Sequence, residues 1–252
     1  MSEQFGNQSP GADGAGALRH SGTERIGVLD LWRTVCVWMM LADHLLWDLA
    51  LLGYVPAELP RHPALRVYAF AGAGGFILLS GLCVRLSRNP FRRGLGLLCA
   101  GAGVSVVSAL AGYPVRFGIL QLLGCCMLLW AGLNRLFSPT MENPRFPLAC
   151  LLLFAASAWI CAHTAVGVTW LYPLGLRGPE FVSADYYPLL PWWFLFLCGT
   201  SLGRYLDAPR FAPLLRKRFP PALTFWGRHA LAVYLLHQPL LWGLLLLLRR
   251  LG

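Results

Sequence analysis

Ionisable side chains stand inside the first apolar stretch of the chain, which is long enough to cross a membrane. The stretch carries Asp30, Arg33, His44 and Asp48. A charged side chain in a bilayer-spanning helix costs about 3 kcal/mol on insertion scales, so such residues usually face the interior of a helix bundle. At about 100° per residue, these four fall within roughly 60° of one another on a helical wheel, whereas Asp43 points elsewhere. The pattern predicts that one helix contributes four side chains to one polar cavity.

His44 and Asp48 are four residues apart and are therefore neighbours on a helix face. A carboxylate there would orient the imidazole and stabilise its cationic form, which makes His44 a better general base. The alternative is a structural hydrogen-bonded pair that joins helices. Asp30 and Arg33 are one turn apart, and the pattern favours an ion pair with Asp30 at the positive end of the helix dipole. Arg33 is alternatively a ligand for a phosphate-bearing donor.

Arg116 and Asp185 stand at the starts of two later apolar segments. Arg116 either extends to the membrane surface, pairs with Asp48 or Asp185, or stabilises negative charge on a substrate. Asp185 is expected to be a helix N-cap, a site carboxylate or both. Both residues are candidates for binding substrate or stabilising charge.

The last apolar segment contains a second polar group within the membrane. Tyr234, His237 and Gln238 lie on neighbouring turns, and His237 is predicted to lie near the middle of the membrane. A polar side chain at that depth needs a partner, so these three residues are further candidates for lining the cavity. His229, nearer the boundary, is expected to be structural.

The composition is that of an integral membrane protein. Of 252 residues, 57% are hydrophobic and 13% are charged, against about 45–50% and 25% in soluble domains. Residues 1–24 are polar and predict a disordered tail without a cleaved signal peptide, followed by a membrane domain at 25–252. The net charge of +10 is distributed between apolar segments, which indicates topology control and not nucleic-acid binding. Eight cysteines without a Cys-x-x-Cys pair predict no metal site.

The apolar segments predict an all-α, polytopic helix bundle with about seven spans. If the segments cross the membrane in turn, most Lys and Arg residues fall on the same side of the membrane as the N-terminus, which favours a cytoplasmic N-terminus. The segments are approximately 28–52, 67–86, 94–112, 117–137, 147–167, 188–206 and 229–248.

Six sequence blocks, in order, resemble the heparan-alpha-glucosaminide N-acetyltransferase catalytic-domain-like family, within the wider superfamily of membrane acyltransferases. The resemblance covers roughly residues 25–248. The blocks are RIGVLDLWR at 25–33, DHLLWDL at 43–49, FILLSGL at 76–82, RFGIL at 116–120, DYYPLLPW at 185–192, and GRHAL with YLLHQP within 227–239.

The resemblance implies an enzyme of the bacterial plasma membrane that moves an acetyl group from acetyl-CoA to an amine or hydroxyl of a sugar-like or cell-envelope acceptor. His44 is the closest positional match to the family's catalytic histidine. It is expected either to remove a proton from the acceptor or to carry the acetyl group transiently, with Asp48 orienting it as their spacing on one helix face suggests. Arg116 would stabilise the oxyanion or pair with Asp185. The candidates for binding the CoA phosphates are Arg33, Arg85, Arg88, Arg92 and Arg93.

Two other classes of function remain open from the sequence. A transporter or flippase would use the same intramembrane charges as a substrate or proton relay. The sequence shows no clear internal repeat, which makes a common secondary-transporter architecture less favoured. The third class is a binding or assembly subunit, and self-association is also open.

Overall fold

The computed structural model describes residues 26–141, 143–164, 168–215 and 217–251. The predicted polar tail at 1–24 lies outside the described residues. Within the described ranges the chain is helical and forms no β-strand, as predicted. Short 3-10 helices cover Leu59–Arg61, Tyr172–Leu174, Gly203–Asp207 and Pro209–Phe211. The α-helices are α1 (Gly27–Leu51), α2 (Pro63–Val84), α3 (Pro90–Leu110), α4 (Ile119–Met141), α5 (Phe146–His163), α6 (Leu189–Leu202), α7 (Ala212–Leu215), α8 (Pro221–Arg228) and α9 (Ala230–Leu251).

Capping residues set the starts of α2 and α3. Each helix begins with a proline, whose fixed φ suits the first helical position. Nδ1 of His62 accepts the backbone N–H of Ala64 at 3.3 Å, and Oδ1 of Asn89 accepts that of Arg92 at 2.9 Å. These bonds satisfy N–H groups that have no partner within the helix.

All seven predicted apolar segments fold as helices, namely α1 to α6 and α9. Five of them (α1, α2, α3, α5 and α9) are long and apolar enough to span a membrane. The segments predicted at 117–137 and 188–206 form α4 and α6, whose apolar helical parts are shorter. The described helices therefore form an integral membrane bundle.

Glycines bring α2 and α6 into backbone contact at the centre of the bundle. A Cβ on Gly81 would overlap the carbonyl of Phe196, and a Cβ on Gly199 would overlap that of Leu78. Small residues permit this approach, which supplies van der Waals contact where lipid gives no hydrophobic driving force. The side chains of Phe196 and Ile77 beside this contact are fully buried.

A second close contact joins α1 to α8, a helix that the hydropathy pattern did not predict. The backbone N–H of Gly227 donates to Oγ1 of Thr34 at 2.9 Å, and a Cβ on Gly227 would overlap the carbonyl of Asp30. The chain passes from α8 into α9 after His229. This contact therefore sets the position from which α9 runs beside α1.

Candidate active site

Two histidines from α1 and α9 form the centre of the site. The ring centroids of His44 and His237 are 4.8 Å apart, with the ring planes at 81°. Nδ1 of His44 lies 2.9 Å from the carbonyl oxygen of Met40, and Nδ1 of His237 lies 2.6 Å from that of Tyr234. A carbonyl oxygen only accepts, so we assign the proton of each neutral ring to Nδ1, which leaves a lone pair on Nε2.

The two rings differ in their exposure. His237 is 7% exposed, and its Nε2 has no hydrogen-bond partner among the described residues. His44 is half-buried. A buried nitrogen without a partner costs free energy unless a ligand or water donates to it. The pair therefore presents one reachable base and one desolvated base within a single cluster.

Asp185 reaches this cluster from the loop before α6. Its Oδ2 accepts the hydroxyl of Tyr234 at 3.2 Å, and the backbone N–H of Ile119 also donates to its carboxylate. A Cβ on Gly118 would lie 2.8 Å from Oδ2, so the glycine leaves room for the carboxylate. Asp185 thus accepts at the first residue of α4 while facing His44. It does not cap α6, the helix that it precedes, because that helix has a proline at its N-cap position and no side-chain cap. Burial raises the pKa of Asp185 above its ordinary value, while His44 and the two hydrogen bonds oppose that rise.

Backbone hydrogen bonds hold the loop that carries Asp185. The N–H of Ala184 donates to the carbonyl of Pro114 at 3.0 Å, and that of Tyr187 donates to the carbonyl of Phe117 at 2.9 Å. Phe117 has φ of +128°, a conformation that is strained for a residue with a side chain. Such strain persists only where the surrounding structure imposes it, and it is often found near functional sites.

Asp48 does not pair with His44, contrary to the sequence prediction. Its Oδ1 accepts Nε2–H of Gln238 at 2.8 Å, and the residue is 4% exposed. His44 instead uses the carbonyl of Met40, one turn before it. The spacing of four residues placed both side chains on the same face, but α9 supplies a partner that Asp48 reaches across the helix interface.

Arg116 lies at the edge of the site and makes no ion pair with Asp48 or Asp185 in the described structure. Its guanidinium carbon is 6.0 Å from the ring centroid of Phe181, and its backbone N–H donates to Oγ of Ser183 at 2.9 Å. The side chain is exposed, and it lines an open depression of about 370 Å³. The carboxylate of Asp185 already accepts hydrogen bonds from Tyr234 and Ile119. Arg116 therefore makes a cation–π contact with Phe181 in place of the predicted pair with Asp185.

The predicted pair at the start of α1 is present and has a third member. Nη1 of Arg33 lies 2.8 Å from Oδ1 of Asp30, and Nε of Arg228 lies 3.5 Å from Oδ2. Arg33 also donates to Sγ of Cys83 at 3.4 Å. The sequence did not indicate Arg228, because its contact with Asp30 depends on the unpredicted helix α8.

The basic donor-site candidates form a separate group. Arg85, Arg88, Arg92 and Arg93 are exposed around the junction of α2 and α3. Arg33 is separated from His44 by eleven residues of α1, or about 16 Å along the helix. The candidate residues therefore occupy two regions, one at each end of the polar face of α1.

Asp43 is a member of the cluster that the helical wheel missed. It is half-buried and interacts electrostatically with His44, Asp185 and Tyr68. The wheel compares positions within α1 and contains no information about the loop that brings Asp185 near the helix. The signal in the sequence that could have indicated Asp43 was its position directly before His44.

The comparison with protein families agrees with the resemblance. Residues 25–239 match the model of the family described as heparan-alpha-glucosaminide N-acetyltransferase, catalytic. No curated protein and no solved structure matches the chain. The family match indicates a membrane acetyltransferase and does not favour the transporter alternative. By this match over most of its length, the chain belongs to the heparan-alpha-glucosaminide N-acetyltransferase catalytic family.

Proposed function

We propose that the protein transfers an acetyl group from acetyl-CoA to an amine or hydroxyl of a sugar-like or cell-envelope acceptor in the bacterial plasma membrane. The observation that carries this proposal is the contact of His44 with His237 beside Asp185. Nδ1 of each ring is hydrogen-bonded to a backbone carbonyl, so Nε2 of each neutral ring has a lone pair that can accept a proton. The family supplies the acetyl-transfer chemistry, and the cluster supplies the groups that move a proton.

In this mechanism His44 acts as the general base. Its Nε2 takes the proton from an acceptor N–H or O–H while the acceptor atom attacks the thioester carbonyl carbon. The carbon–sulfur bond breaks, and the CoA thiolate leaves and takes the proton from His44. Asp185 lies within electrostatic range of His44 and stabilises the imidazolium formed between these steps. His237 accepts a hydrogen bond from the acceptor and holds it against His44.

The donor phosphates bind at the other end of α1. With a cytoplasmic N-terminus, Arg33 and the exposed arginines of the α2–α3 junction face the compartment that contains acetyl-CoA. Arginine is suited to phosphate because its planar fork donates two parallel hydrogen bonds. The acetyl end of the donor must then cross about 16 Å to reach His44. Arg116, exposed on the opposite side, contacts the acceptor.

The test uses purified protein with acetyl-CoA and two probe acceptors, glucosamine and glucose, which separate amine from hydroxyl transfer. Released CoA is measured by chromatography, because free cysteines of the protein would compete for thiol dyes. His44→Ala is expected to lower transfer by about 10²–10⁴-fold, the usual contribution of a general base.

His229→Ala is the matched control. His229 also has Nδ1 on a carbonyl one turn earlier, that of Phe225 at 2.9 Å, but it is exposed and outside the cluster. Equal activity of the two alanine variants would exclude His44 as the base. Replacement of Arg92 and Arg93 by glutamine is expected to raise the KM for acetyl-CoA, whereas glutamine at Arg249 and Arg250 is not. A transport activity without any release of CoA would refute the proposal.

A further inference from the structure

Asp48 and Gln238 are joined by one hydrogen bond and leave two buried oxygens without partners. Nε2 of Gln238 donates to Oδ1 of Asp48 at 2.8 Å. Oδ2 of Asp48 and Oε1 of Gln238 are both buried, and neither has a hydrogen-bond partner in the described part of the chain. An ionised carboxylate and an amide oxygen can only accept, so neither could satisfy the other.

A single proton on the carboxyl of Asp48 would give both buried oxygens a hydrogen-bond partner. A neutral carboxylic acid has one O–H donor, and a primary amide has N–H donors and a carbonyl acceptor. With a proton on Oδ2, Asp48 donates to Oε1 of Gln238 while Oδ1 continues to accept from Nε2. We propose that Asp48 is a neutral carboxylic acid that forms a two-hydrogen-bond clamp with Gln238, and that this clamp positions His44 and His237.

The carboxyl of Asp48 is buried and has no arginine or lysine partner among the described residues, in contrast to Asp30, which has two arginines. The groups that face it are the His44 ring from α1 and the side chains of Gln238 and Trp242 from α9, and the Trp242 side chain also forms a hydrogen bond with the carboxyl. An ionised carboxylate without a cation is costly in a spanning segment, and a hydrogen-bonded acid is not.

The position of the clamp explains its role. Asp48 lies one turn after His44 on α1, and Gln238 directly follows His237 on α9. A double hydrogen bond between these helices fixes their rotation and separation next to the two rings. Asp48 is therefore a positioning residue, and Asp185 is the carboxylate that balances charge on His44. The effect on acetyl transfer rests on the proposed function, whereas the clamp itself does not.

Substitutions can preserve or break the clamp without changing its size. Asp48→Asn gives an amide–amide pair with both hydrogen bonds. The double variant Asp48→Asn with Gln238→Glu exchanges acid and amide and keeps the same total side-chain length. Both are expected to retain the unfolding temperature and acetyl transfer of the wild type. Asp48→Leu and Gln238→Leu each leave one buried polar group unpaired and are expected to lower transfer by about tenfold to a hundredfold.

Infrared spectroscopy detects the proton directly and requires no activity. The wild type is expected to show the carbonyl stretch of a protonated carboxylic acid, which Asp48→Asn removes and the exchanged double variant restores. Loss of folding or transfer in Asp48→Asn to the level of Asp48→Leu would overturn the proposal, as would absence of the acid band. If the band and unfolding temperatures follow expectation but the wild type does not release CoA, the clamp stands and the proposed function fails.

Discussion

Replacing Gly227 by alanine is expected to force α8 away from α1. A Cβ at this position would lie 2.8 Å from Oγ1 and 2.9 Å from the backbone nitrogen of Thr34, and it would overlap the carbonyl oxygen of Asp30. An ordinary contact needs about 3.4 Å or more, so Thr34 would have to move by about 0.6 Å and Asp30 further. The neighbours are backbone and a buried hydroxyl, so a rotamer change alone cannot relieve the overlap.

The free-energy cost of the steric overlap is expected to exceed the helix stability gained by replacing glycine with alanine. Overpacking a tight contact costs about 1–3 kcal/mol, and replacing glycine within a helix recovers only about 0.5–1 kcal/mol. The displacement also lengthens the hydrogen bond from Gly227 to Thr34 and separates Arg228 from Asp30. His237 lies ten residues after Gly227 on the helix that follows. Misplacement by about 1 Å can cost about a hundredfold in rate, so we expect a tenfold to hundredfold loss of acetyl transfer.

The assay combines thermal unfolding in detergent with release of CoA. Gly243→Ala in α9 is the matched control, because a Cβ there has no neighbour within 4 Å. The control should keep the activity and the unfolding temperature of the wild type, or gain slightly in stability. If Gly227→Ala behaved in the same way, the close approach of α8 to α1 and its role in placing α9 would both be refuted.

Three further predictions concern Asp185 and the residues that hold its loop. Burial raises the pKa of Asp185, so ionisation of its carboxyl costs folding free energy, and the wild type should lose stability as the pH rises through that pKa. Asp185→Asn should remove this pH dependence from the unfolding curves and should also reduce acetyl transfer. Tyr234→Phe deletes the hydroxyl that donates to Asp185 and should destabilise the protein by about 1 kcal/mol, measured by thermal unfolding; no change would contradict the bond. Phe117→Gly should unfold at a higher temperature than Phe117→Ala, by about 1 kcal/mol, because only glycine adopts a φ of +128° without strain; equal stability would contradict the strain.

The sequence predicted the helices well because hydropathy is a local property. Each of the seven apolar segments contains a helix, and the helical wheel identified a face of α1 on which Asp30 and Asp48 are buried. The helix α8 was missed because it has only eight residues and lies between prolines and the last apolar segment. Its contact with α1 depends on Gly227, whose role is visible only when both helices are placed.

The partners within the site were harder to predict. Spacing along α1 correctly placed His44 and Asp48 on one face, but it could not show that Gln238 would take the carboxyl of Asp48. Asp43 was excluded by the same wheel, although the loop at Asp185 approaches it from outside α1. Long-range contacts of this kind are set by how helices pack, and a periodic pattern in one segment contains no information about them.

The polar face of α1 is tolerated in the membrane for a different reason at each end. At the start, Asp30 forms ion pairs with Arg33 and Arg228, so the charged groups are paired. In the other half, a backbone carbonyl lies within hydrogen-bond distance of Nδ1 of each histidine, which satisfies one nitrogen of each ring. If Asp48 is a neutral acid, the transfer centre adds little fixed charge to the spanning helices, and Asp185 enters from a loop. A site arranged in this way can create a transient imidazolium beside a carboxylate during transfer and return to a low-charge state when the product leaves.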